Sequence, residues 1–335
     1  MSSIFGKNLQ VSIFGQSHGV ALGVTVHGFP PGFSIDLDAL YAFLQRRAPG
    51  QSPYTTQRKE EDLPLFLSGL VDNVTCGAPL TATIENKDSL SKDYDFLKDT
   101  PRPGHADYTA HVKHKGFEDI RGGGHFSGRL TAPLCVAGGI ALQMLAKKNI
   151  QIEAAIIAIG GNRLDPYKEI EKAKKEGDSV GGLVGCTITG VPPGLGDPMF
   201  EGVENLLSQA IFAIPGIKGI SFGAGFDAAT MQGSQHNDSF YYDQQGNIQT
   251  HTNHHGGILG GITTGMPIVF QVAVKPTPSI AKTQQSVNYR TKEAVPLQIT
   301  GRHDPSIVPR VLPCVEAAAA LVMLDMLIGY QGYQS

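Results

Sequence analysis

The segment from Arg102 to Arg129, RPGHADYTAHVKHKGFEDIRGGGHFSGR, carries three arginines, two lysines and four histidines in 28 residues, broken by single and triple glycines. It has no long apolar run and cannot be mainly a core element. Arginine supplies rigid bidentate donors for carboxylate or phosphate. Histidine exchanges a proton near neutrality. Glycine lets backbone N–H groups approach an anion closely. Together these residue types point to a pocket for a multiply anionic small molecule, with proton transfer available inside it.

Four further clusters lie outside this segment or frame it. Gly15-Gln16-Ser17-His18-Gly19 has the G-x-S-x-G spacing of a serine-hydrolase elbow. That elbow requires a helix directly after the serine, whereas VALGVTVHG reads as a strand. A tight turn presenting Ser17 and His18 to a cleft is the alternative, and a plain hairpin turn the bland one. His111 and His114 stand at HxxH spacing, but no carboxylate or cysteine pattern completes a metal set, so no metal is expected. In Arg121–Pro133, Thr131 is placed to cap the next helix and Pro133 suits its first turn. A glycine run at a helix N-terminus is an anion site, and Ser127 and Arg129 sit on its approach. Asn253–Gly261 with Lys275–Ser279, and Gly301-Arg302-His303-Asp304-Pro305, complete the set. In the last, arginine beside aspartate fits either a structural ion pair or a catalytic carboxylate.

Several elements must position these loops. Residues 8–15 and 21–28 alternate as two strands around the QSHG turn, and 80–86, 183–190 and 266–274 also read as strands. Residues 36–47 read as a helix with Asp36 as N-cap and two terminal arginines. Segments 132–147 and 313–328 read as unusually apolar helices. Aligning Cys135 with Cys314 gives six identities over positions 135–145. That fits either an internal duplication or convergence of two buried small-residue helices. Residues 163–180 are polar and read as a surface helix or loop. No linker is evident, so residues 1–335 read as one domain of mixed sheets and buried helices.

Composition narrows the function. The formal net charge is −3, so the basic clusters are local, which disfavours general nucleic-acid binding. There is no Trp, and few aromatics are available for stacking on single strands. No uninterrupted apolar run approaches the length of a membrane span, and MSSIFGKNLQ lacks a signal-peptide pattern. Cys76, Cys135, Cys186 and Cys314 are widely spaced, which reads as reduced thiols in a cytoplasmic protein.

With these motifs assembled, the chain resembles the chorismate synthase family along nearly its whole length. The resemblance rests on GQSHG at 15–19, RPGHADY at 102–108, RGGGHFSGR at 121–129, GGILGG at 256–261, KPTPS at 275–279 and GRHDP at 301–305. It implies an α+β fold, a β-α-β sandwich of mixed, largely antiparallel sheets packed around and against helices. It implies a lyase of the shikimate pathway of aromatic amino acid biosynthesis. The reaction would be anti-1,4-elimination of phosphate from 5-enolpyruvylshikimate 3-phosphate to chorismate, with reduced FMN needed but not consumed. It further implies a homotetramer.

By the same resemblance, Arg47 and Arg129 would hold the substrate, helped by Arg46 and Arg102. His18 would protonate or hydrogen-bond the departing phosphate. His105 would keep the reduced flavin in its productive protonation state, and Asp304 would relay a proton near the flavin. Ser17 and Ser127 would join that network. Flavin contacts would come from His125, Phe126, Ser127, Pro215, Gly216, Gly260, Lys275, Pro276, Thr277, Pro278, Ser279 and Arg302. The chain departs from the family pattern at Gln16, where an acidic residue is usual. It departs also at Pro53, where an arginine is frequent and where Arg58 or Lys59 could replace the charge, and at the His125-Phe126 pair. No segment resembles an added flavin reductase domain, so reduced FMN is expected from an external reductase or another NADPH-dependent source.

Overall fold

The computed structural model describes residues 3–50, 62–86, 98–299 and 303–330, with the backbone of 331–334. Pro53, Arg58, Lys59 and Arg302 lie outside the described residues.

Two antiparallel sheets enclose a layer of helices. The first holds β1 (Ile4–Phe5), β2 (Gln10–Gly15), β3 (Ala21–His27), β4 (Leu65–Ser68) and β5 (Leu80–Glu85), in the order β1-β2-β3-β5-β4. The second holds β6 (Gln151–Ile159), β7 (Gly182–Thr189), β8 (Ile217–Phe222) and β9 (Ile268–Val274), in the order β8-β9-β7-β6. Period-two alternation decides which face is buried. In the first sheet Val24 pairs with Ala82 and Leu22 with Ile84, all buried. In the second, Ile268, Phe270 and Val272 pair with Ile188, Cys186 and Val184, again all buried. A one-residue slip in either register would turn each set outward.

The longer helices are α1 (Leu37–Arg47), α2 (Asp107–His114), α3 (Thr131–Ala146), α4 (Pro166–Lys175), α5 (Val203–Phe212) and α6 (Val308–Gln334), with a single turn at Gly233–His236 besides. Asp36 caps α1 as its residue type predicts, its Oδ1 accepting from the Ala39 N–H at 2.9 Å. Helix α3 packs on the first sheet, α6 on the second, and the two pack on each other. Both are long and apolar enough to cross a membrane by length and composition, but they are mostly buried in the core. A helix that is apolar all round needs cover on every side, and the two sheets with α1 and α5 provide it. Residues 163–180 include the exposed helix α4, whose Ile170 alone among its larger apolar residues is fully buried.

Close approach of α3 and α6 depends on Gly138. A Cβ there would lie 2.3 Å from the Ala317 Cβ, well inside contact distance. One turn earlier the Cys135 and Cys314 sulfurs stand 3.9 Å apart. Residues 135 and 138 are the positions that align with 314 and 317, so corresponding residues of the two similar segments meet. Packing two small-residue helices in this register accounts for the contact under either reading. Buried carboxylates fasten α6 to its surroundings. Glu316 takes both terminal nitrogens of Arg46, at 2.6 and 2.8 Å, and the Ala154 N–H at 3.0 Å. Asp325 accepts from the N–H groups of Asn8 and Leu9, both at 2.6 Å.

Candidate active site

Helices α3 and α6 both begin at one cavity of about 240 Å³. Its walls include Ser17, Arg47, Ser127, Arg129, Thr131, Pro215, Thr277, Ser279, His303, Asp304, Arg310 and Cys314. Helix N-termini carry partial positive charge and unpaired N–H groups, so two of them facing one cavity favour an anion there. Helix α1 reaches the same cavity with its C-terminal end, where Arg47 offsets the opposite dipole.

The triple glycine brings two motifs to this region. The Ser17 N–H donates to the Gly124 carbonyl at 3.0 Å, fastening the β2–β3 turn to it. Gly122 (φ +59°) has no room for a Cβ, which would sit 2.6 Å from the His18 ring and 2.7 Å from Ser17 Oγ. At Gly123 (φ +83°) a Cβ would meet the His105 ring at 2.9 Å. Only glycine combines positive φ with such contact, so the backbone here passes between the two histidines.

His105 belongs to a buried charged group. Its Nδ1 lies 2.5 Å from Asp107 Oδ1. Arg102 donates to the same carboxylate through Nε (2.8 Å), Nη2 (2.8 Å) and its backbone N–H (3.0 Å). Burial alone would raise the Asp107 pKa, but the bonds from Arg102 and His105 overcome it and hold the carboxylate well below its usual range. The carboxylate at Nδ1 favours the proton there, so Nε2, which lies toward Gly123, accepts from Arg102 Nη2 at 3.3 Å. Lys275 donates through Nζ to the Gly104 carbonyl and so pins this loop to the 275–279 segment. The Lys275 N–H in turn donates to the Gly216 carbonyl at 2.9 Å.

Arg47 and Arg129 converge. Arg47 Nη2 is 2.9 Å from Asp62 Oδ2, and Arg129 Nη1 pairs with Asp62 Oδ1. Arg47 Nη1 also donates to Thr131 Oγ1 at 3.3 Å. Asp304 Oδ2 accepts from Arg310 Nη1 at 2.5 Å. Below them the Cys135 thiol donates to Cys314 Sγ at 3.9 Å, and the Cys314 thiol donates to the Arg310 carbonyl at 3.3 Å. Burial pushes Cys135 well up, whereas the bond from Cys135, together with Arg47 and Arg310, draws Cys314 down to about 7.

Other expected site residues stand elsewhere in the fold. Arg46 points to Glu316 and lies 5.6 Å from the Phe43 ring centre, outside the cavity lining. Arg102 reaches the cavity wall through Ser279 Oγ, at 3.4 Å. His125 bridges Gly15 O (2.8 Å) and Ser3 Oγ (2.7 Å), and Phe126 faces His114. Because Gly15 offers only a carbonyl, His125 Nδ1 carries the proton and Nε2 accepts from the serine. Gly260 sits in the turn of the Ile258–Leu259 and Ile262–Thr263 hairpin, and neighbouring Gly261 packs on Asp197 and Gly202. Pro276 and Pro278 flank Thr277 on its run beside the cavity, and the Pro278 side chain approaches Gly104. Thr131 is not the cap of α3, because its hydroxyl donates back to the Gly128 carbonyl at 2.7 Å. Ser127 Oγ instead accepts from the Arg129 N–H at 3.3 Å, one turn earlier, as the chain enters through a 3₁₀ turn. His111, half of the HxxH pair, bonds Glu118 at 3.0 Å and stacks on Tyr289.

Sequence reasoning missed Asp62 and Arg310. Asp62 belongs to no motif and is recognisable only once Arg47 and Arg129 are near each other. Arg310 had a usable signal, since it lies in the first turn of the apolar helix that follows GRHDP.

The family model for chorismate synthase matches residues 9–328. A chorismate synthase of Chitinophaga pinensis is 46% identical over 324 residues, covering 97% of this chain and 96% of its own length. One of Lancefieldella parvula is 42% identical over 376 residues, covering 100% and 98%. A chorismate synthase crystal structure superposes with a TM-score of 0.77 at 24% identity, covering 98% of this chain and 94% of the other, and shows the same fold. The chain therefore belongs to the chorismate synthase family, carbon–oxygen lyases acting on phosphates.

Proposed function

We propose that this chain eliminates phosphate from 5-enolpyruvylshikimate 3-phosphate to give chorismate, with reduced FMN as its cofactor. The observation that carries this reading is the convergence of Arg47 and Arg129 where two helix N-termini meet, beside two separately held histidines. A phosphate leaving group needs its charge matched, and preoriented cations do this without reorganisation. Arg47 and Arg129 bind and orient the anionic groups. His18, held against Gly122 beside Ser17, is the candidate to hydrogen-bond or protonate the departing phosphate oxygen. Asp304 is the candidate proton acceptor, steadied by Arg310. His105 is fixed by Asp107 through Nδ1 and has Arg102 Nη2 3.3 Å from its Nε2, which keeps the ring edge-on to the glycine run.

The wall formed by Pro215, Ser127, Thr277 and Ser279 fits a flavin. It is neutral, and Thr277 contributes a buried hydroxyl without a hydrogen-bond partner among the described residues, so a donor or acceptor from a ligand would satisfy it. Bound there, reduced FMN would supply transient electron donation and a basic ring nitrogen for removal of an otherwise non-acidic hydrogen. Lys275, Gly216 and the 125–127 segment support this wall, and Gly260 and Arg302 remain proposed contacts. We read residues 1–335 as one cytoplasmic domain supplied with reduced FMN by an external reductase or another NADPH-dependent source. Homotetramer formation is supported by the outer face of the first sheet, which exposes Phe14, Leu65 and Leu67.

The test is anaerobic incubation with reduced FMN and 5-enolpyruvylshikimate 3-phosphate, following phosphate and chorismate together. Equimolar release that ceases with oxidised FMN is expected. Flavin binding without product would remove the reading.

A further inference from the structure

Asp62 is among the most enclosed charged side chains described, about 1% exposed, and it stands between two arginines of the cavity wall. Each carboxylate oxygen serves one of them: Oδ2 faces Arg47 Nη2 at 2.9 Å and Oδ1 takes Arg129 Nη1. Its own backbone is held at φ +51°, a region that residues other than glycine occupy sparingly and that persists where surroundings over-determine it.

Two guanidinium groups drawn from water into one wall repel each other, more strongly as the local dielectric falls. A shared carboxylate offsets that repulsion and leaves the trio with one net positive charge. The bridge also fixes direction. Arg47 is held from its other side by Thr131 Oγ1, at 3.3 Å, and that hydroxyl is anchored to the Gly128 carbonyl at 2.7 Å. The Arg47 carbonyl accepts from Arg310 Nε at 2.9 Å. Asp62 holds Arg129 through a hydrogen bond and Arg47 through a close ion pair that lacks hydrogen-bond alignment, so the Arg47 direction is set by Asp62 and Thr131 Oγ1 together.

We infer that Asp62 is a positioning residue that holds the Arg47 and Arg129 guanidinium groups in one fixed orientation toward the cavity, ready for a phosphate-bearing polyanion. The inference deepens the reading of the site given above and rests on it for the choice of anion. The gain is preorganisation: the ligand meets donors that are already aligned. The competing role is opposite in sign. If Asp62 merely filled the anion position, a ligand would have to displace it, and removing its charge would tighten binding.

Calorimetric titration of inorganic phosphate into the full-length protein at fixed salt separates the two, with wild type, Asp62→Asn and Asp62→Glu compared. Asp62→Asn raises the net charge of the site by one, so simple electrostatics favours tighter binding. Positioning instead predicts at least tenfold weaker phosphate binding, and a rise in KM for the anionic substrate larger than the fall in kcat. Unchanged or tighter phosphate binding overturns the inference, as does wild-type protein that binds no phosphate. Should Asp62→Asn fail to fold, Asp62→Glu decides. Its longer arm keeps the charge but moves both guanidinium groups, so severalfold weaker binding with native melting behaviour supports positioning, and wild-type affinity removes it. Phosphate binding is read without flavin or turnover, so loss of the proposed enzymatic activity would leave this result interpretable.

Discussion

Arg310 ties Asp304 to the end of helix α1. Its Nη1 donates to Asp304 Oδ2 at 2.5 Å while its Nε donates to the Arg47 carbonyl at 2.9 Å. One side chain thus sets the distance between a candidate proton acceptor and a candidate anion-binding arginine. Arg310→Ala removes both links. Turnover is expected to fall about 10²-fold, the scale of losing a general acid–base. Arg310→Lys keeps the charge but supplies a point donor in place of a planar fork, so it should restore little. Steady-state kinetics of both variants check this, and wild-type turnover in Arg310→Ala would remove the assigned role.

Asp107 makes stability depend on acid. Its folded pKa lies well below the unfolded value, because the Arg102 and His105 bonds outweigh burial. The carboxylate therefore adds stability above its unfolded pKa of about 3.9, and that stability is lost as pH falls through the lower, folded value. Asp107→Asn, which leaves Arg102 buried without its counter-charge, should cost about 3–5 kcal/mol near neutrality. Chemical denaturation from pH 7 down to acid should show the gap between wild type and variant narrowing below about pH 4. A constant gap across that range would contradict the assignment.

Gly138 is required by packing. Elsewhere in a helix interior, glycine to alanine gains up to about 1 kcal/mol. Here the new methyl would start 2.3 Å from the Ala317 Cβ, so Gly138→Ala should destabilise by about 1–3 kcal/mol. Thermal melting reads the sign directly, and a raised Tm would refute so close a crossing of α3 and α6.

The thiols offer a probe of the cavity. Cys314 lines it and is drawn down to about 7, whereas burial pushes Cys135 and Cys186 up. The thiolate is the reacting form. A small alkylating reagent at pH 8 should modify Cys314 ahead of Cys135 and Cys186, and added inorganic phosphate should slow it. Peptide mass spectrometry assigns the sites. Preferential modification of Cys135 would contradict the opposite directions in which burial and the neighbouring charges move the two thiols.

Much of the architecture was readable because its signals are local. Leu22, Val24 and Val26 recur at every second position and set the buried face of β3. Asp36 announced the start of α1, and the small apolar residues of 131–146 announced a helix enclosed on all sides. The cap of α3 was misread, because Ser127 and Thr131 both have capping chemistry and only the 3₁₀ entry decides between them. Arg46 and Arg47 are adjacent and chemically identical, yet one turns to Glu316 and the other to Asp62.

The sequence by itself determined five strands, at 8–15, 21–28, 80–86, 183–190 and 266–274, the two core helices, the family and the loops that carry reactive side chains, but not the sheet strands Leu65–Ser68, Gln151–Ile159 and Ile217–Phe222. The features it determined follow from periodicity, turn chemistry and motif order, each written within a short span of chain. Tertiary structure alone decided that Asp62 bridges Arg47 and Arg129, that Arg310 holds Asp304 beside Arg47, and that Gly122 and Gly123 pass between His18 and His105. The charged contacts among them join separate elements. Their geometry exists only after α3 and α6 have packed and the two sheets have closed around them.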